Sequence, residues 1–278
     1  MQRSFTSQLE DKRLSLFLAS SECKEVDTIR LRSCRESRGR WLSTDYAYLL
    51  NNHQTGIAIR LWLGLDPLAH VLYTSCPFCR KEIVHDQWHA LSCVKNRCKA
   101  VTTRHDSAAQ LLCRFARSNG ALARVEPKDS GSVVPDGEVI LPTKTVLFDV
   151  SGTHPAAPSY RSNNARHPGT AISARECTKN NKYLAYATAL SARFVPFVID
   201  TYGWLGKPAI KLIKEIADDA FHPRLGLPAC TRITSGNFLG LLAVDWIRHN
   251  ANIIFQWSTI VRRSRLRSEA IDPSLRAV

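Results

Sequence analysis

The sequence predicts an α/β (α+β) fold in which helices flank one mixed sheet, with a small cysteine- and histidine-rich module ahead of it. Three observations predict it. Between residues 104 and 203 the chain runs through a helix-period segment, three strand-like runs, a second helix-period segment and a further apolar run rich in Val, Ile and Phe. The 278 residues are 44% hydrophobic and 22% charged, a balance that supports a sizeable core. Cysteines and histidines crowd into residues 76 to 98, too tightly for chance placement in a core.

Residues 1–70 read as a helical N-terminal region. The first forty carry short apolar runs among many charges, ending in RLRSCRESRGR, which suits helix and loop at the edge of a fold. From Trp41 to His70, Tyr46, Leu49 and Leu50, then Ile57, Ile59, Leu61, Trp62 and Leu65, have the spacing of two short packed helices. Asp66-Pro67 is expected to end the second.

Residues 71–100 hold CPFCRKEIVHDQWHALSC, with the spacing Cys76-x2-Cys79-x9-His89-x3-Cys93. A two-residue knuckle puts two thiolates on one side of a tight turn, which Pro77 helps to fix. A His and a Cys four apart on a helical turn meet them, and the result is a closed tetrahedral Zn²⁺ site. Four ligands leave no open position, so the expected role is structural. His85 could replace His89, and Cys98 could replace Cys93. Cys23, Cys34, Cys113, Cys177 and Cys230 stand alone and read as core or incidental thiols.

Residues 101–221 form the expected core. RHDSAAQLLCRFARSNG, 104 to 120, sets Ala108, Leu111, Leu112 and Phe115 on one helix face, closed by Gly120. Strand candidates follow at 121–127, 132–141 and 145–152. The Gly, Pro, Ser and Asn content of 153–170 predicts a long loop. AISARECTKNNKYLAYATALSAR is a helix, FVPFVIDTYG a strand, and 207–221 an amphipathic helix with Ile210, Ile213 and Ile216 on one side. Residues 222–278 supply a last apolar helix, NFLGLLAVDWIRHNANIIFQWSTIV, and the basic tail RRSRLRS. Its aromatic residues, Phe238, Trp246, Phe255 and Trp257, could dock a partner, though core packing is the simpler use.

The 38 Lys and Arg residues against 24 Asp and Glu give a formal net charge of +14, which favours a polyanionic partner, DNA or RNA. The N-terminus lacks the apolar core of a secretory signal, and the longest apolar stretch, 238 to 244, is too short to span a bilayer. The expectation is a soluble intracellular protein with no membrane partner.

Two carboxylates raise the question of chemistry. Asp136 and Asp149 lie on successive strand candidates joined at Pro142-Thr143, so a hairpin would set them side by side. Asp149 follows Val146, Leu147 and Phe148, an odd place for a carboxylate unless a cation compensates it. Read singly, Pro135-Asp136-Gly137 is a turn and Asp149 a strand end. The candidate cation lies in the helix after the loop, where Glu176, Lys179 and Tyr183 fall at i, i+3 and i+7 on one face, with Lys182 about a quarter turn away. A solvated charged face is the competing reading. His105, Asp106 and Glu126 read as capping or structural residues.

In order, these elements are the Cys-Cys-His-Cys knuckle, Arg104-His105-Asp106, Glu126-Pro127, Pro135-Asp136, Asp149-Val150 and Lys179-x3-Tyr183. The series resembles the restriction-like endonuclease domain found downstream of the reverse transcriptase in some non-LTR retrotransposon polyproteins. The resemblance covers about residues 37 to 220, counting RLWLGLDP just before the knuckle. It implies a variant of the PD-(D/E)-x-K nuclease fold and a nuclear, Mg²⁺-dependent enzyme that nicks target DNA to prime reverse transcription. It further implies Asp136 and Asp149 as Mg²⁺ ligands and Lys179 as the catalytic lysine, with Tyr183 and Glu176 supporting it. The usual motif has lysine two residues after the second acid; here that residue is Ser151, so a helix-borne Lys179 must serve instead. Arg161, Arg166 and Arg175 in the loop region, and Arg262, Arg263, Arg265 and Arg267 in the tail, are expected phosphate contacts. A catalytically silent nucleic-acid-binding module is the alternative.

Overall fold

The computed structural model describes residues 12–19, 24–67, 75–83, 88–127, 134–219 and 233–271. Of the residues singled out in the sequence, Cys23, Cys230, His85 and the side chains of Arg265 and Arg267 lie outside the described residues. The N-terminal region is helical: α1 (residues 12–18), α2 (Glu25–Ser37), a 3-10 turn η1 (Arg40–Leu42), α3 (Thr44–Ala47) and α4 (Asn52–Leu63). Asn51 and Gln54 start α4 reciprocally, each side chain accepting from the other's backbone N–H, so two otherwise unpaired donors are satisfied. Gly64, at φ 76°, ends α4 in the left-handed conformation, ahead of the expected stop at Asp66-Pro67.

The mixed sheet is made of β1 (Leu122–Val125), β2 (Gly137–Leu141), β3 (Lys144–Thr153) and β4 (Arg193–Asp200), in the order β1-β2-β3-β4. The first three form an antiparallel meander, and β4 lies parallel to β3. A parallel neighbour demands a crossover. Here α7 (Arg161–Arg166) and α8 (Thr170–Ala189) supply it, α7 occupying part of the segment expected to be all loop. The helix α6 (Lys99–Ser118) precedes the sheet, and α9 (Lys207–Asp219) and α10 (Ser235–Ile271) follow it.

Both faces of β3 are covered. Val146, Phe148 and Val150 pack with Val195, Phe197 and Ile199 of β4 against Leu112 and Phe115 of α6, Leu212 and Ile213 of α9, and Phe238 and Trp246 of α10. On the other face Leu147 and Phe194 meet Tyr183 and Ala187 of α8. Alternation along the strand therefore sends Asp149 and Ser151, which share the parity of Leu147, towards α8.

The helix α10 ties three cores together. Its first turns join the sheet core, Val244 and Ile247 pack on Trp41, Leu50 and Ala58, and Ile254, Trp257 and Val261 pack on Ile57, Leu61 and the cysteine-rich segment. Phe238, Trp246 and Trp257 are buried, so core packing is their use; Phe255 is half exposed, edge-on to His53. Among the described residues no helix is long and apolar enough to cross a membrane.

Pro135-Asp136 leads into β2, which begins at Gly137, and the hairpin turn lies elsewhere. Glu126 donates its N–H to the Asp136 carbonyl at 3.0 Å, extending the ladder one step beyond Gly137. The glycine is required by its neighbour across the hairpin: a Cβ there would lie 2.3 Å from the Phe148 ring. The turn between β2 and β3 falls at residues 142–143, where the sequence placed it.

Candidate functional site

Two sites emerge. In the cysteine-rich segment, Arg80 donates its N–H to the Cys76 carbonyl at 3.0 Å and Cys76 donates to Lys81 at 2.8 Å, so the knuckle curls its two thiols inward. The short helix α5 (His89–Ser92) carries His89, and the Cys93 N–H closes on the His89 carbonyl at 2.8 Å. The four ligand atoms of Cys76, Cys79, His89 and Cys93 all lie within 4.8 Å of one another. Cys76 Sγ is 3.8 Å from Cys93 Sγ, and Cys79 Sγ is 3.2 Å from His89 Nε2. A tetrahedron with Zn–S bonds of about 2.3 Å has edges of about 3.8 Å. The cluster could hold a metal ion, and its three thiols and one imidazole are compatible with zinc. Cys98 is not part of it; its side chain is buried in the core beneath the cluster.

The second site is built by the β2–β3 hairpin. Gly137 pairs with Phe148, so Asp136 stands opposite Asp149 one step further along the ladder. The Val150 N–H donates to Asp136 Oδ2 at 2.6 Å, locking the side chain against the facing strand. The Asp149 side chain is 2% exposed and its partner is Lys179, whose Nζ lies 2.7 Å from Asp149 Oδ2. A carboxylate this deep is tolerated because a cation faces it.

The contact is one of three in a row. Tyr183 packs on Leu147, Lys179 pairs with Asp149, and Arg175 Nε donates to Ser151 Oγ at 2.6 Å. Helical residues four apart rise about 6 Å, and strand residues two apart about 6.6 Å. Three turns of α8, running against β3, thus match three same-face positions of the strand. The Tyr183 hydroxyl donates to the Val134 carbonyl at 3.4 Å, and burial, with the neighbouring Asp149 carboxylate adding to it, pushes the phenol above its ordinary range. Lys182, which the helical wheel turned aside, folds back instead: its Nζ donates to the Tyr183 hydroxyl at 2.8 Å and lies 4.5 Å from the ring centre.

Asp136 has a partner of its own. His105 Nε2 lies 2.8 Å from Asp136 Oδ2, and His105 Nδ1 lies 3.0 Å from Asp106 Oδ1. The hydrogen bond to Asp136 raises the imidazole pKa to about 9, against a smaller opposing effect of burial. These residues were expected to be capping or structural. They sit in the second turn of their helix because α6 begins at Lys99, and no local spacing signals that the early turns cross the hairpin.

Glu176 does not join this group. It points to the start of α9, where a Cβ on Gly206 would lie 2.0 Å from its Oε1. Burial raises its pKa, and the charge of Lys207 partly offsets that. The face of α8 towards β3 therefore follows the i, i+4, i+8 series of Arg175, Lys179 and Tyr183, not the i, i+3, i+7 series that begins with Glu176. Of the expected phosphate contacts, Arg166, Arg262 and Arg263 are exposed, while Arg161 is half-buried and bonds the Ala156 carbonyl. Glu126, just past β1, adopts φ 45°. No family model matches this chain, and no curated protein matches it.

Proposed function

We propose that the chain is a restriction-like DNA endonuclease domain of the kind carried by non-LTR retrotransposon polyproteins. The observation that carries this reading is the Lys179–Asp149 pair beside Asp136: a lysine from the crossover helix stands on the second acid of the hairpin. The helix-strand-strand-strand-helix-strand order of the core suits a PD-(D/E)-x-K variant. Ser151, where the usual motif has lysine, shares the Asp149 face, so Lys179 brings its ammonium group to the region a lysine at 151 would serve.

Asp136 and Asp149 would hold a divalent ion, with Mg²⁺ the natural choice. Such an ion is commonly bound by one or two carboxylates plus the oxygens of a phosphate substrate. Both donors on Asp136 fall on Oδ2, and Oδ1 has no protein donor among the described residues. The ion would supply charge neutralisation at the phosphate and a more acidic water. Lys179 would stabilise the negative charge that builds on the phosphate oxygens during attack, and Tyr183 would hold the lysine and Asp149 in register. DNA is the expected substrate and RNA a second polyanion that the +14 charge would attract. A nick that primes reverse transcription is made in chromosomal DNA, which places the work in the nucleus. The zinc-compatible knuckle would hold the N-terminal side of the fold against α10.

The test is nicking of supercoiled plasmid with Mg²⁺ or Mn²⁺ by the wild type, Asp136→Ala and Asp149→Ala. Metal-dependent nicking lost in both variants supports the reading. Absent activity, or activity indifferent to both substitutions, leaves a silent nucleic-acid-binding module in its place.

A further inference from the structure

We infer that His105 is a positioning residue for Asp136, held in turn by Asp106, and that this Asp106–His105–Asp136 chain aims one carboxylate oxygen at the metal position. The inference rests on the nuclease reading and goes beyond it by giving α6 a part in the site.

The geometry is one-sided. Asp136 Oδ2 is approached by His105 Nε2 at 2.8 Å and by the Val150 N–H at 2.6 Å. One contact comes from a helix and the other from the facing strand, so the carboxylate cannot rotate without losing one of them. Oδ1 has no protein donor among the described residues and remains available. His105 is itself fixed from behind, its Nδ1 lying 3.0 Å from Asp106 Oδ1. The helix that carries it is seated on the sheet by Ala108, Leu112 and Phe115, all buried, so the imidazole has a rigid mount. Partners that orient a metal-binding group, and are oriented by another group in turn, typically set metal affinity by about 10- to 100-fold.

A simpler role for His105 predicts the opposite sign. If the imidazole were only a counter-cation for Asp136, it would compete with a bound ion, and its removal would tighten metal binding. If it positions the carboxylate, its removal loosens binding.

The experiment uses the full chain with its cysteine cluster intact and titrates Mn²⁺ while free Mn²⁺ is read by electron paramagnetic resonance. The variants are His105→Ala, His105→Gln, Asp106→Asn and Asp136→Asn, with circular dichroism and thermal melting as folding controls. His105→Ala is expected to weaken Mn²⁺ binding by about 10-fold or more. His105→Gln, whose amide nitrogen can occupy the place of Nε2, is expected to recover most of it. Asp106→Asn is expected to fall between, and Asp136→Asn to abolish the site. Unchanged or tighter binding by His105→Ala, with Asp136→Asn still blank, overturns the inference and leaves the nuclease reading standing. If wild type holds no more Mn²⁺ than Asp136→Asn, both fall. Should His105→Ala fail to fold, the His105→Gln and Asp106→Asn pair decides: equal affinity in Asp106→Asn and wild type overturns the chain.

Discussion

Lys179 Nζ lies 2.7 Å from Asp149 Oδ2, and the two side chains are 15% and 2% exposed. The pair joins the crossover helix to the central strand and sits between an aromatic contact on one side and the Arg175–Ser151 bond on the other. It bears on stability as well as on the proposed chemistry, and the two can be separated.

Lys179→Met leaves Asp149 buried with no ammonium group to face it. Removing one member of a buried pair costs about 3–5 kcal/mol, so the variant should unfold at clearly lower denaturant. The double variant Lys179→Met/Asp149→Leu removes the stranded charge and should regain much of that stability. Neither should nick DNA. A double variant that is stable and still nicks would remove both residues from the chemistry; a single variant as stable as wild type would show that water already reaches the pair.

The His105 imidazole gives a pH dependence of known sign. Its folded pKa is raised to about 9, chiefly by the hydrogen bond to Asp136, while an unfolded histidine titrates near 6.5. The folded state therefore holds the proton more tightly. The stabilisation is fully present below about pH 6.5 and is lost as pH rises through about 9. Denaturation midpoints measured across that window should fall for wild type more steeply than for His105→Gln. Parallel curves would mean that the His105–Asp136 contact adds nothing.

These residues also show what the sequence could tell. The hairpin turn, the order of core elements and the Cys76, Cys79, His89 and Cys93 set were legible because each depends on local spacing. Glu176 was misplaced because a helical wheel fixes which residues share a face, and only the sheet beneath decides which face is used. Gly137 looked like a turn glycine, but its reason is Phe148, eleven residues away, whose ring occupies the space of a Cβ. In the sequence His105 reads as a capping or structural residue and as part of the Arg104-His105-Asp106 element. Its contact with Asp136 was not legible, because it depends on where α6 crosses the hairpin, which packing by Leu112 and Phe115 determines.

The cysteine cluster should carry about one zinc per chain, measured by elemental analysis. Cys76→Ser should lose it. Because Cys76, Ile83 and Trp88 share a core with Ile57, Leu61, Ile254 and Trp257, the loss should loosen α4 and the second half of α10. The sheet core draws on different residues and should keep its amide protection. Full zinc in Cys76→Ser would refute the ligand set, and equal loss of protection in both cores would mean that the chain unfolds as one unit.

Ser151 allows the placement of the lysine to be tested. It lies two residues from Asp149 on the same strand face, about 6.6 Å along, so a lysine there could bring its ammonium group to Asp149. In a Lys179→Met background, Ser151→Lys should therefore restore part of the lost nicking. Arg175 stands in the way: its guanidinium bonds the Ser151 hydroxyl at 2.6 Å and would repel a new cation. Adding Arg175→Ala should raise the recovered activity if the guanidinium acts only as an obstacle, and lower it if its terminal nitrogens grip the DNA phosphate. Rates for the double and triple variants, each checked for regained stability by denaturation, distinguish the two. No recovery in either, in proteins that have regained their stability, would show that a cation beside Asp149 is insufficient and that the position of Lys179 on α8 is itself required.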